Sequence, residues 1–311
     1  EEMDMSLIYL GQQFTIYGSL VFLLMGVFGN SMNILVFSSV RTYRTNPCSF
    51  YFLIGSIFDN LYLLINLTTR LVSTISGVDS TSTSLIWCKI RQFCIVTPSV
   101  ITLSCSSLAT IDQFVVTSKH ARLRRCSSIK SAHWIVFIVI ICWCLHGIPC
   151  LVTSNIVGDD SNKDCTITNA TYSVYIPIFV FLFLCIIPMF IMILFGCLAY
   201  RNIQQTTHLA EQHVDRQLMR MVLTQVVLVV VSNTPFGAVT AYGLITAGIN
   251  KDLNRQLKEY FAISILILIS YSYYIGNFYI FFISSSRFRQ TLKDRIFWWR
   301  RPIQINPSRT S

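Results

Sequence analysis

The sequence predicts an all-α membrane protein, a seven-transmembrane helix bundle followed by a short amphipathic eighth helix. Three observations predict it. Of 311 residues, 53% are hydrophobic and only 12% are charged, whereas an ordinary soluble domain carries charge on about a quarter of its residues. The charges gather in short segments between long apolar stretches. Each of those stretches is long enough to cross about 30 Å of hydrocarbon as a helix, which bonds every backbone N–H and C=O internally.

The first span reads Ile16 to Val40, carries Gly29 and Asn30, and stops at Arg41 and Arg44. Its apolar run lacks a basic leader and is too long for a cleaved signal, so it is expected to double as the insertion signal. The second span runs from about Phe50 to Leu71 with one acid, Asp59, near its centre. The third runs from Cys88 to Ser118 and contains Pro98. Next come Ala132 to Val152, about Tyr172 to Tyr200 around Pro188, about Met219 to Ala247 around Pro235, and about Tyr260 to Ser284. The stretch from Ser285 to Trp299 places Phe288, Leu292 and Ile296 on one face among basic residues, with Trp298 and Trp299 suited to the lipid interface. Residues 1–13 are therefore expected to be a short outer terminus, 14–284 the bundle, and 285–311 an inner amphipathic helix and tail.

Orientation follows from the basic residues. Lys119, Arg122, Arg124, Arg125 and Lys130 follow the third span, Arg41 and Arg44 the first, and Arg287, Arg289, Lys293 and Arg295 the seventh. The segments on this side of the bundle hold most of the 24 Lys and Arg, so it is predicted to be cytosolic, with the N-terminus outside. The net charge of +10 is accounted for by this topology. It does not point to nucleic acid, because the cations lie in loops rather than along one face of a soluble fold.

The remaining motifs sit on this frame. Nine of the 11 cysteines fall in spans or in the inner loop, where they read as small packing residues. Cys88, at the outer end of the third span, and Cys165, in the outer loop, are the two left in an oxidising compartment. Their bridge would staple that loop over the bundle mouth. The same loop holds Asp159, Asp160 and the sequon at Asn169, which marks the outer side and offers a glycosylation site close to the membrane. Asp59 is the only acid deep in the bundle, and an ionisable group there needs polar partners, with Asn30 and Asn277 the candidates. Interhelical glue and functional switch both fit it. Pro98, Pro188 and Pro235 each free a carbonyl inside a helix and allow a bend.

Taken in order, these residues resemble the rhodopsin-like (class A) G-protein-coupled receptors over nearly the whole chain. Gly29-Asn30, Asp59, the Cys88–Cys165 pair, Pro188 and Pro235 match that family's landmarks, as does Asn277-Phe278-Tyr279-Ile280-Phe281 followed by Arg287-Phe288-Arg289. The resemblance implies an outer ligand, a heterotrimeric G protein as inner partner, a lipid bilayer around the bundle, and no cofactor. It departs at the switch. Asp112-Gln113-Phe114 stands where Asp-Arg-Tyr is usual, so Asp112 and Asp215 flank a lost cation. Asn233 replaces the tryptophan of Cys-Trp-x-Pro, and Phe278 replaces the seventh-span proline. Phe281 and Gly196 stand where tyrosines are usual. With Tyr273 and Tyr274 before Asn277, a complete sodium site at Asp59 is not expected.

The resemblance also narrows the ligand. Ile95 stands where amine receptors carry an aspartate, and Tyr271 where opsins carry a lysine, which argues against monoamines and retinal. The pocket is expected from Gln92, Ile95, Val96, Ser99, Phe236 and Tyr271, with Arg70, Lys89 and Arg91 near the mouth. Such a mouth favours a peptide or another anionic ligand. Each cation alone is better explained by snorkelling to headgroups. A decoy receptor with lost or constitutive coupling is the alternative reading. A transporter or channel lacks a polar path through the membrane. The chain is not expected to be an enzyme, because it has no HExxH and no GxSxG and its five histidines are scattered.

Overall fold

The structure, a computed structural model, describes residues 2–158, 163–205, 213–246 and 248–297. Asp159, Asp160, Trp298, Trp299 and the rest of the tail lie outside the described residues, as does the side chain of Asp215. In chain order the elements are α1 (Glu2–Ser39), α2 (Arg41–Arg44), α3 (Pro47–Ser76), α4 (Ser80–Thr83), α5 (Leu85–Thr117), α6 (Ala121–Arg124) and α7 (Ile129–Thr153). A hairpin of β1 (Ser154–Val157) and β2 (Asp164–Ile167) follows, pairing Ser154 with Ile167 and Val157 with Asp164. Then come α8 (Ala170–Val180), a π-helical turn (Phe181–Ile186), α9 (Ile187–Gln205), α10 (His213–Ile245), α11 (Leu253–Ser270), α12 (Ser272–Ser284) and α13 (Ser286–Ile296).

Seven helical segments are long and apolar enough to cross a membrane, as the composition predicts. They overrun the apolar stretches at several ends. The helix of the first span begins at Glu2 rather than near Ile16, and that of the seventh at Leu253 rather than Tyr260, because helical backbone bonding continues past the hydrocarbon edge wherever no breaker stands. Four helices that begin after a loop are capped by a side chain. Asn46 accepts from the N–H of Ser49 with Pro47 at the first helical position, and Ser84, Ser128 and Asn169 accept from Trp87, Ser131 and Tyr172. The sequon asparagine is thus the cap of the fifth span. At the far end of α3, Gly77 takes φ 68°, the left-handed conformation that ends a helix cheaply in glycine.

The proline bends resolve differently from span to span. α5 and α10 run on through Pro98 and Pro235, whereas the turn before Pro188 widens into a π-helix. In the seventh span Phe278 supplies the N–H that a proline would lack, and the helix passes through it unbroken. The interruption lies earlier, at Tyr271.

Large apolar side chains face outward over much of the surface, as a lipid solvent requires. The fourth span buries only Ala132, Val136, Gly147 and Cys150. The core gathers around α5, the most enclosed span. Toward the Asp112 end, the rings of Phe37, Phe52, Phe281 and Phe288 pack together, and through Phe288 and Leu292 they seat α13 against the bundle. Gly29 makes the first and seventh spans close neighbours, because a Cβ there would lie 3.0 Å from Cβ of Phe278.

Candidate functional site

Cys88 and Cys165 are disulfide-bonded, with their Cα atoms 5.7 Å apart, which ties the hairpin to the start of α5. At this end a cavity of about 680 Å³ opens among the first, second, third, fifth, sixth and seventh spans. Its size suits a drug-sized ligand or the end of a peptide. No described hairpin residue lines it.

Its charged lining consists of Arg70, Arg91 and Asp79, an excess of one positive charge. Arg70 donates to the Ser264 carbonyl at 3.4 Å. Nε of Arg91 is buried without a hydrogen-bond partner among the described residues. Asp79 accepts from the Thr81 N–H at 2.9 Å and from the Ser73 hydroxyl at 3.3 Å. Partial burial pushes its carboxyl up, but those donors and the charge of Arg91 outweigh burial and hold it below the usual carboxylate range. Deeper in, Tyr62 packs on Tyr274 and Tyr271 with ring centroids 4.2 and 5.6 Å away. Ile95 and Phe236 add apolar wall.

Five of the expected pocket residues therefore line one cavity: Arg70, Arg91, Ile95, Phe236 and Tyr271. Gln92, Val96 and Ser99 do not. The Gln92 amide reaches the Cys165 sulfur at 3.8 Å. Val96 is buried in the core, and the Ser99 hydroxyl turns back to the carbonyls of Ile95 and Val96, both at 2.8 Å. Lys89 is likewise absent from the lining. Sequence reasoning missed Asn66, an asparagine in the wall of this cavity.

Below the cavity lies a chain of polar side chains. Asn277 donates to Asp59 at 3.1 Å and Gln225 donates to Asn277 at 3.2 Å. Gln225 also donates to the Ser106 hydroxyl at 2.9 Å, which in turn meets the Tyr273 hydroxyl at 2.7 Å. Asn30, the other expected partner of Asp59, instead donates to the Tyr274 carbonyl at 2.9 Å, because the close approach at Gly29 brings it to the seventh-span backbone. The room beside Asp59 is about 10 Å³, about what one water needs. Gln225 and Tyr273 occupy the surroundings, and Asn277 turns an N–H toward the carboxylate.

At the opposite end Asp112 accepts from the Ser127 hydroxyl at 2.6 Å. Gln113 is 1% exposed and its side-chain oxygen has no hydrogen-bond partner among the described residues. Asp215 lies on α10. Phe281 is held in the ring cluster, 4.6 Å from Phe52. A further residue, Gln217, was not anticipated. Its oxygen accepts from the Ser285 hydroxyl at 2.9 Å and the Arg287 N–H at 3.1 Å, and its nitrogen donates to Ser286 at 3.1 Å. It fastens the sixth span to the junction between α12 and α13. Its only signal was a polar residue among the cations at the start of an apolar run, too common a pattern to single it out.

The described residues hold no cluster of His, Cys, Asp and Glu able to bind a metal. No curated protein matches the chain significantly. Residues 29–279 match the family described as 7 transmembrane receptor (rhodopsin family), a stretch that takes in Asn30, the disulfide, the cavity lining except Gln12 and Thr15, and the polar chain through Asn277. This protein, with its seven apolar spans and non-enzymatic core, belongs to the rhodopsin family of G-protein-coupled receptors.

Proposed function

We propose that this receptor takes an anionic ligand, a peptide or another carboxylate-bearing molecule, in the cavity beside the disulfide, and passes the signal to a heterotrimeric G protein at the Asp112 end. The cavity end faces outward, where a disulfide persists, and the basic loops carrying Lys119 to Lys130 face the cytosol. One observation carries the reading: a ligand-sized cavity whose charged lining is two arginines against one aspartate. Arginine forks suit carboxylates, and partial burial strengthens the attraction. The bundle does no chemistry. Its output is the difference in ligand affinity between two packings of the helices.

The test is a screen of acidic peptides and small carboxylates on receptor in nanodiscs, read by nucleotide exchange on added G proteins. The double substitution Arg70→Ala and Arg91→Ala is expected to weaken binding of any active ligand at least tenfold. Unchanged affinity rejects the anionic reading. A second reading, a decoy that binds without coupling, draws on the neutral Gln113 and the phenylalanine at 281. Saturable binding with no nucleotide exchange on any G-protein class selects it.

A further inference from the structure

Two asparagines in the cavity wall, Asn66 and Asn233, share an arrangement. In an α-helix the carbonyl of residue 94 would bond the N–H of residue 98, and that of residue 184 the N–H of residue 188. Both acceptor positions lose their donor because residues 98 and 188 are prolines. In a lipid solvent a freed carbonyl needs another partner. Asn66 of α3 donates to the Cys94 carbonyl at 3.1 Å, and Asn233 of α10 donates to the Leu184 carbonyl, inside the π-helical turn, at 2.9 Å. Each amide bolts its own helix to a neighbour at the point where a proline weakened that neighbour.

The two bolts differ in what they leave over. An asparagine amide has two N–H groups. Asn66 spends both, since it also donates to the Tyr62 carbonyl at 3.1 Å. This double donation fixes which end of the amide is nitrogen. Asn233 spends one on Leu184, and among the described residues no second acceptor meets its nitrogen. It is 4% exposed and lies in the cavity wall, as do Phe236 and Arg70. We infer that Asn233 is a specificity-determining residue, whose remaining N–H binds an acceptor oxygen, a carbonyl or carboxylate, at the buried end of the ligand. Asn66 has no N–H to spare for a ligand, and its side-chain oxygen is buried without a hydrogen-bond partner among the described residues. The ligand class follows: an anion for the arginines joined through an apolar body to a carbonyl, as in a peptide C-terminus or an acyl acid. Because the same amide holds Leu184, a ligand that pulls on it also loads the contact between the fifth and sixth spans. This inference rests on the reading of the cavity as the ligand site.

Two probes of similar length separate the claims. Monomethyl suberate carries a carboxylate and a distant ester carbonyl, and nonanoate carries the carboxylate alone. In thermal unfolding of purified receptor, monomethyl suberate at millimolar concentration is expected to raise the midpoint by several degrees more than nonanoate. That difference should vanish in Asn233→Leu and return in Asn233→Gln. A second measurement guards against a poorly folded Asn233→Leu and keeps Asn233 intact. A Cβ at Gly237 would lie 3.4 Å from both Cβ and Sγ of Cys185, within reach of a disulfide. In Gly237→Cys receptor the rate of oxidative cross-linking, followed by mass spectrometry of the linked peptides, is expected to change several-fold with monomethyl suberate and less than twofold with nonanoate. Equal effects of the two probes overturn the role of Asn233. If Arg70→Ala removes those equal effects, the anionic-ligand reading stands without Asn233. If neither probe acts in either measurement, both readings fall.

Discussion

The two ends of the bundle solve opposite problems. The disulfide end is open, with a cavity of about 680 Å³ and formal charges in its wall. The Asp112 end is closed by hydrogen bonds and rings: Ser127 on Asp112, Gln217 on three groups around Ser285, and Phe281 among Phe37, Phe52 and Phe288. Between them the midsection is nearly filled, with about 10 Å³ beside Asp59. On the proposed reading, one end accepts a charged guest. The other is held shut by contacts worth about 1 kcal/mol each, small enough for differential ligand binding to overcome.

The largest expected effect breaks the open end. Cys88→Ser or Cys165→Ser frees a hairpin that no other covalent tie holds, and loss of such a bridge typically costs about 2–5 kcal/mol. Most folded receptor should disappear from the cell surface, as counted by surface labelling, and near-normal surface levels would mean the bridge is dispensable. A smaller effect breaks the closed end. Gln217→Ala removes three hydrogen bonds at a partly exposed joint, together about 1–2 kcal/mol. Ligand-free separation of spin labels on the third and sixth spans should become several-fold more populated. An unchanged distance distribution would show that Gln217 does not hold the closed state.

The midsection comes next. Asp59→Leu strands the Asn277 N–H, at a cost of about 1–3 kcal/mol, whereas Asp59→Asn should stay within a few degrees of the parent in thermal unfolding. Replacing sodium by choline should shift neither the parent nor Asp59→Asn by more than about a degree, and a sodium-dependent shift in the parent alone would show that the closed room opens to a cation. The smallest effect sharpens the comparison. Gln113→Arg restores a cation beside Asp112, and an ion pair at such a boundary contributes on the order of 1 kcal/mol or less. It should lower ligand-free opening a few-fold while raising ligand-stimulated nucleotide exchange. If neither changes, Gln113 is a neutral replacement.

The spans were legible because hydrocarbon thickness sets a length that composition reveals directly. The disulfide was legible too, since topology left two cysteines outside. The cavity was legible only in part, and the reason is angular. Arg91 and Ile95 stand four apart on one face of α5, while Gln92 and Val96 stand one position on, about 100° around the helix. Apolar periodicity in a membrane span is too weak to fix that rotation, because lipid-facing and core-facing residues are alike in polarity. Asn233 was visible as a departure from the family pattern, but its partner is a backbone carbonyl in a π-helical turn, which no side-chain motif encodes. The pairing of Asn66 with Pro98 was hidden for the same reason.

The fourth span, with only four buried residues, is attached to its neighbours mainly along one seam. Trp143 donates to Ser104 at 3.0 Å, His146 meets the Tyr175 hydroxyl at 2.8 Å, and the rings of Trp143 and His146 lie against Phe179. Most of the rest of its surface is unburied by protein and, in a bilayer, would meet acyl chains. Detergent that strips those chains bares this helix first. Extraction in native lipid nanodiscs should therefore preserve the seam, while short-chain detergents should peel the fourth span away well before the disulfide end or the ring cluster gives.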